Sequence, residues 1–244
     1  MLVVGSVVFR TVGKDFMPML TRNNEPSVYD AIRALAETPG CSSAHIVQAL
    51  TREIDARDPR LRGHGIRTSH YALALGEAYG LSPGKLRDLA YAGLLHDIGR
   101  LTLPDAILHK DGPLTAEEYA LVQCHPRAGA EMLAPFAFLQ RAALWIAHHH
   151  ERWDGCGYPY GLRGIFIPLG SRILAVADTF DVLVGERRDD LGLASQSALR
   201  RLQVTAGSQL DPDLVNSFAA RVRDQGIDRH TNVTQDKATE VIGA

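Results

Sequence analysis

An all-α fold is predicted by three features: apolar residues recur at helical spacing nearly throughout, strand-like alternation is almost absent, and Gly and Pro gather between the periodic segments. Helices are expected at about 27–37, 43–56, 64–79, 83–97, 115–134, 136–150, 169–185, 195–206 and 211–223, with a break in the fifth at Pro126. Residues 1 to about 25 read as a short strand or extended arm and a polar linker, with Ser27 as the first helix cap. Gly80, the Ser82-Pro83 pair, Gly99, Pro104 and the Asp111-Gly112-Pro113 turn are the expected stops. The Gly/Pro/Tyr-rich stretch 154–168 is expected to be a loop with a small hairpin near 160–168. The expected organisation is an arm over 1–40, one helical domain over 41–223 and a polar tail over 224–244.

Composition narrows the function. The 244 residues are 45% hydrophobic and 22% charged, ordinary values for a folded domain. Lys and Arg number 26 against 28 Asp and Glu, so no global basic field exists to hold a nucleic-acid polymer. No apolar run has membrane-spanning length, and the apolar start 1–9 is short and lacks a basic leader. Three scattered cysteines form neither a CxxC pair nor a disulfide framework, so a reducing cytoplasm is expected. The oddity is ten histidines.

Several of these end inward-facing stripes. His64 opens the apolar face of helix 64–79; His96 and Asp97 close that of 83–97; His149 and His150 extend that of 136–150. Asp178 follows the run Ile173 to Ala177, and His125 precedes Pro126 at a helix start. A buried carboxylate costs several kcal/mol unless it is paired or bound to a cation. Imidazoles and carboxylates together suit iron, manganese, zinc, cobalt or nickel rather than calcium or magnesium. The groups exceed what one open catalytic metal needs, so two metals are expected, sharing Asp97 as the bridge. Such a centre is positive and calls for an anion such as a phosphate. His45, His70, His109 and His148 are expected to be ordinary hydrogen-bonded residues, and Cys156 a tolerated small residue.

Leu94-Leu95-His96-Asp97-Ile98-Gly99-Arg100 resembles the HDIGK motif of the HD phosphohydrolase superfamily, and His149-His150-Glu151-Arg152-Trp153-Asp154-Gly155-Cys156-Gly157-Tyr158-Pro159 resembles the HHExxDGxGYP motif of its HD-GYP branch. The resemblance implies an HD-domain helical bundle with two iron or manganese ions, hydrolysing the cyclic dinucleotide cyclic di-GMP to pGpG or GMP. By motif position it implies that His64, His96, Asp97 and Asp178 hold one metal, and Asp97, His125, His149 and His150 the other. A third-metal glutamate found in some members falls at Arg60, so two ions are expected. Arg100 stands where the family has a phosphate-contacting lysine. Arg187 keeps one phosphate-binding arginine, whereas Asp190 replaces a second. Asp97 and Arg100 are the expected catalytic residues; Arg100, Arg187 and Tyr158 the substrate contacts. The Gly157-Tyr158-Pro159 loop implies docking to a diguanylate cyclase domain. The oligomeric state stays open, a homodimer included. So do three other functions: a regulatory module that binds without turnover, hydrolysis of another nucleotide such as a cyclic GMP-AMP hybrid, and a di-iron oxygenase of the same fold.

Overall fold

Ser42 caps α2 (Ser43–Arg57) by accepting the His45 N–H, and Pro83 starts α4 (Pro83–Leu95), where its missing N–H has no helical partner to lose. The computed structural model describes residues 28–37, 40–185 and 191–225. Its other α-helices are α1 (Val28–Ala36), α3 (His64–Ala78), α5 (Asp105–Leu108), α6 (Ala116–Val122), α7 (His125–Leu133), α8 (Gln140–Ala147), α9 (Leu169–Gly185), α10 (Leu191–Thr205) and α11 (Pro212–Gln225). No strand occurs among the described residues, only an isolated bridge between Ala206 and Leu210. No described helix is long and apolar enough to cross a membrane. The arm over residues 1–25 and most of the polar tail lie outside the described residues.

Three departures from the expected elements matter. The segment 115–134 is two helices. A capping box between Thr115 and Glu118 starts α6, and Pro126 sits in the first turn of α7, so the break falls just before His125 rather than at the proline. Helices 83–97 and 136–150 stop earlier than expected, at Leu95 and Ala147, so Asp97, His149 and His150 lie just past helix ends. The hairpin near 160–168 is absent. That stretch is irregular apart from a 3-10 turn at Gly164–Phe166, because its Tyr160 and Leu162 amides donate to the Glu151 carboxylate instead of to a partner strand.

Helix α3 is the centre of the bundle, packed most extensively against α4 and α9, with α8 bridging α4 and α9. Leu75, Leu89, Leu95, Leu139, Ile146, Ile173 and Phe180 are wholly buried between them. Each such side chain contributes roughly 1.5–3 kcal/mol on leaving water. Tyr71, Phe180 and Phe218 pack edge to face at 4.9 and 5.0 Å, joining α3, α9 and α11. Two glycines bring backbones close enough to align the site. A Cβ on Gly93 would stand 2.4 Å from Ser69 Cα, and one on Gly99 would stand 1.9 Å from the His125 carbonyl oxygen. Only glycine permits α4 to touch α3, and the 3-10 turn Ile98–Thr102 to touch α7.

Candidate metal centre

The seven ligand candidates come together from five places: the first turn of α3 (His64), the end of α4 (His96, Asp97), the first turn of α7 (His125), the exit of α8 (His149, His150) and the middle of α9 (Asp178). They form two triads. The ligand atoms of His64, His96 and Asp178 lie within 4.8 Å of one another, as do those of His125, His149 and His150. Asp97 stands between them. Its Oδ2 is 3.8 Å from His96 Nε2, and its Oδ1 is 3.5 Å from His125 Nε2.

Backbone and carboxylate acceptors set the imidazoles. The Nδ1–H groups of His96, His125 and His149 donate to the carbonyls of Gly93, Val122 and Ile146 at 2.9, 2.8 and 2.6 Å. A carbonyl can only accept, so Nδ1 carries the proton and Nε2 faces inward with a lone pair. In every case the carbonyl lies three residues earlier, because each histidine sits at or next to a helix end, close to the last turn's carbonyls. His64 differs: its Nδ1 donates to Asp181 Oδ2 at 2.7 Å, and Asp181 in turn accepts both arms of Arg67 at 2.7 and 2.9 Å.

The electrostatics agree. Burial pushes His125 down to about 4 and likewise lowers His149 and His150, so this triad is neutral and its lone pairs are open to a cation without competition from protons. Burial also opposes charge on His64, but hydrogen bonds to Asp178 and Asp181 outweigh it and raise its pKa to about 10. Burial opposes ionisation of Asp97 as well, yet the adjacent His96, Arg100 and His125 hold its carboxyl well below the usual carboxylate range. Asp178 is lowered too, with burial overcome by its hydrogen bond to His64. These groups fit divalent cations: inward lone pairs, ionised carboxylates and fixed tautomers all converge.

Of the expected substrate contacts, Tyr158 stacks beside His150 with ring centroids 5.0 Å apart, and burial raises its phenol above the usual range. Arg100 donates through Nη2 to Oδ2 of buried Asp58 at 3.0 Å, while its Nε is buried without a partner. Arg187 and Asp190 lie outside the described residues. A cleft of about 240 Å³, lined by His149, His150, Asp178, Thr179, Val182 and Gln209 among others, opens beside the ligands.

A family model described as HD domain matches residues 48–214. The chain belongs to the HD domain family. This HD domain is 41% identical over 171 residues to a cyclic di-GMP phosphodiesterase response regulator of Xanthomonas campestris, covering 69% of this chain and 45% of that protein. It is 36% identical over 176 residues to a 3'3'-cGAMP-specific phosphodiesterase of Vibrio cholerae, covering 71% and 34%. The HD domain thus spans less than half the length of these curated relatives. In three dimensions it resembles the crystal structure of a cyclic GMP-AMP specific phosphodiesterase of V. cholerae, with a TM-score of 0.64 and 23% identity over 82% of this chain and 53% of that one, a likeness of fold.

Sequence reasoning missed three supporting carboxylates. Asp181 sits three residues after Asp178 on one helix face, a spacing that could have flagged it. Glu151 follows the histidine pair directly, but its inward turn toward the loop amides is tertiary. Asp58 gives no signal beyond its place before Pro59, because its partner Arg100 is 42 residues away.

Proposed function

We propose that this HD domain is a metal-dependent phosphodiesterase that hydrolyses cyclic di-GMP to pGpG or GMP, with two divalent cations, iron or manganese, at the two triads. The observation carrying this is Asp97, a buried carboxylate with one oxygen toward each triad, the disposition a shared ligand needs. Cyclic di-GMP and cyclic GMP-AMP phosphodiesterases among the relatives support a guanine-containing cyclic dinucleotide. When bound, a cation pair would supply Lewis acidity toward a phosphodiester and lower the pKa of water.

The chain's own residues do the rest. His64, His96 and Asp178 would hold one ion, His125, His149 and His150 the other, and Asp97 both. Arg100 and Arg187 would bind the phosphate. The Arg100 guanidinium stabilises charge and does not donate the leaving group's proton, which falls to water. Tyr158, its phenol kept protonated by burial, offers a hydrogen-bond donor at the edge of the centre.

The test is turnover of cyclic di-GMP and cyclic GMP-AMP by protein loaded without air with iron or with manganese, products separated by chromatography. Production of pGpG or GMP only in loaded protein is expected. Calorimetric binding of cyclic di-GMP without product would replace this reading with a regulatory module. Dioxygen uptake by reduced protein, with no phosphate chemistry, would replace it with an oxygenase. Ile165 and Phe166, 76% and 80% exposed beside the Gly-Tyr-Pro loop, support docking of a diguanylate cyclase domain there. Phe166→Asp should abolish co-purification with such a domain while leaving turnover intact.

A further inference from the structure

The two triads are chemically unequal. His64, His96 and Asp178 comprise two imidazoles and a carboxylate, whereas His125, His149 and His150 are all imidazole, so the second position has no carboxylate of its own: shared Asp97 faces His125, and Asp178 acts on His150 from across the centre. The outer shell repeats the difference. Behind His125 and His149 stand neutral carbonyls; behind His64 stands the carboxylate of Asp181. A carboxylate accepting from the far nitrogen makes the imidazole a stronger ligand and fixes its orientation. Arg67 offsets part of that charge but grips both Asp181 oxygens, holding the carboxylate on His64. The counter-cation also falls unequally. Arg100 acts electrostatically on Asp97, His125 and His150, so a cation at the all-imidazole position is opposed by its guanidinium, part of whose charge buried Asp58 offsets at 3.0 Å.

We infer that the two metal positions fill in order, the His64, His96 and Asp178 position first and more tightly, and the His125, His149 and His150 position second as the exchangeable one, with Asp181 as the positioning residue that sets the difference. The inference rests on the two-ion reading above. Manganese is the discriminating probe, because it is a hard cation that favours carboxylate over imidazole.

Metal-free full chain is titrated with Mn2+ alone, followed by calorimetry and electron paramagnetic resonance. Two equivalents are expected in two steps separated by roughly tenfold or more in Kd, a six-line mononuclear spectrum at one equivalent giving way to a coupled spectrum at two. His149→Ala should keep the tight step and lose the weak one. Asp178→Ala should lose the tight step. Asp181→Asn should weaken the first step by roughly ten- to a hundredfold and leave the second where it was. Circular dichroism establishes folding beforehand, and Asp178→Asn or His64→Gln replaces any variant that fails it. Two equal steps, or loss of the tight step in His149→Ala with its retention in Asp178→Ala, overturns the order alone. Fewer than two equivalents in the wild type overturns the two-ion reading and the order with it.

Discussion

The Nε2 atoms of His64 and His96 face each other across 3.1 Å. Both Nδ1 atoms already donate, to Asp181 and to the Gly93 carbonyl, so without a shared positive charge two lone pairs would oppose each other in a buried site. A proton on His64 answers this in the metal-free chain, consistent with its raised pKa, and Asp178 accepts from that side at 3.2 Å. A divalent cation is the alternative occupant.

Metal binding should stabilise the fold. A cation at a hundred times its Kd contributes about 2.7 kcal/mol, and for a chain of this size each kcal/mol moves Tm by about 2–4 °C. Manganese should therefore raise Tm by about 5–10 °C in scanning calorimetry, reversed by a chelator. An unchanged Tm at saturating manganese would remove the premise that these side chains ligate in the folded state.

Asp97→Ala should abolish turnover and metal loading together, since its two oxygens point at different triads. Elemental analysis of purified protein reads this directly. A variant with full metal content and full activity would refute the bridging role.

The metal-free protein should be most stable near the unfolded histidine pKa of about 6.5. Burial lowers His125 to about 4, so between pH 4 and 6.5 the folded state binds fewer protons there than the unfolded state; that stability is present above pH 6.5 and is lost as pH falls toward 4. His64 is raised to about 10, so its contribution is full below pH 6.5 and is lost as pH rises toward 10. Urea midpoints across pH 4–10 should trace both limbs. Manganese should flatten the alkaline one by replacing the proton, and His64→Gln should remove it. An alkaline limb undiminished in His64→Gln would show that another group produces it.

Glu151→Ala should loosen the Gly-Tyr-Pro loop without emptying the centre. The buried carboxylate accepts the Tyr160 and Leu162 amides at 2.8 and 2.9 Å, and stranding such donors costs about 1–3 kcal/mol each when they stay buried. Hydrogen exchange at those two amides should accelerate while metal content holds. Unaltered protection of both amides would mean that the loop is held by other contacts.

Gly99→Ala should damage the all-imidazole triad selectively. The new methyl would lie 1.9 Å from the His125 carbonyl oxygen, a backbone atom that cannot rotate away, so α7 must shift. Overpacking of this kind costs about 1–3 kcal/mol, and displacement of His125 should lower manganese stoichiometry from two to one. Unchanged stoichiometry would show that α7 moves without carrying His125 out of reach.

Six of the seven ligand candidates were legible from the chain alone because each opens, terminates or interrupts an apolar stripe, and a 3.6-residue period reports which side chains turn inward; His125 was marked only by its place before Pro126 and by the motif. Family and helical class followed from the same pattern and from two dense motifs. What periodicity does not carry is which inward faces meet. The resemblance already implied the two ligand sets and the shared Asp97, whereas the Asp181 clamp on His64 and the grip of Arg100 on buried Asp58 join residues 117 and 42 positions apart. The loop at 160–168 reads as a hairpin locally, but Glu151, turned inward by the fold, takes up its Tyr160 and Leu162 amides. Local spacing determines the direction of a side chain, whereas its partner is decided by helix packing, here by how closely Gly93 and Gly99 let backbones approach.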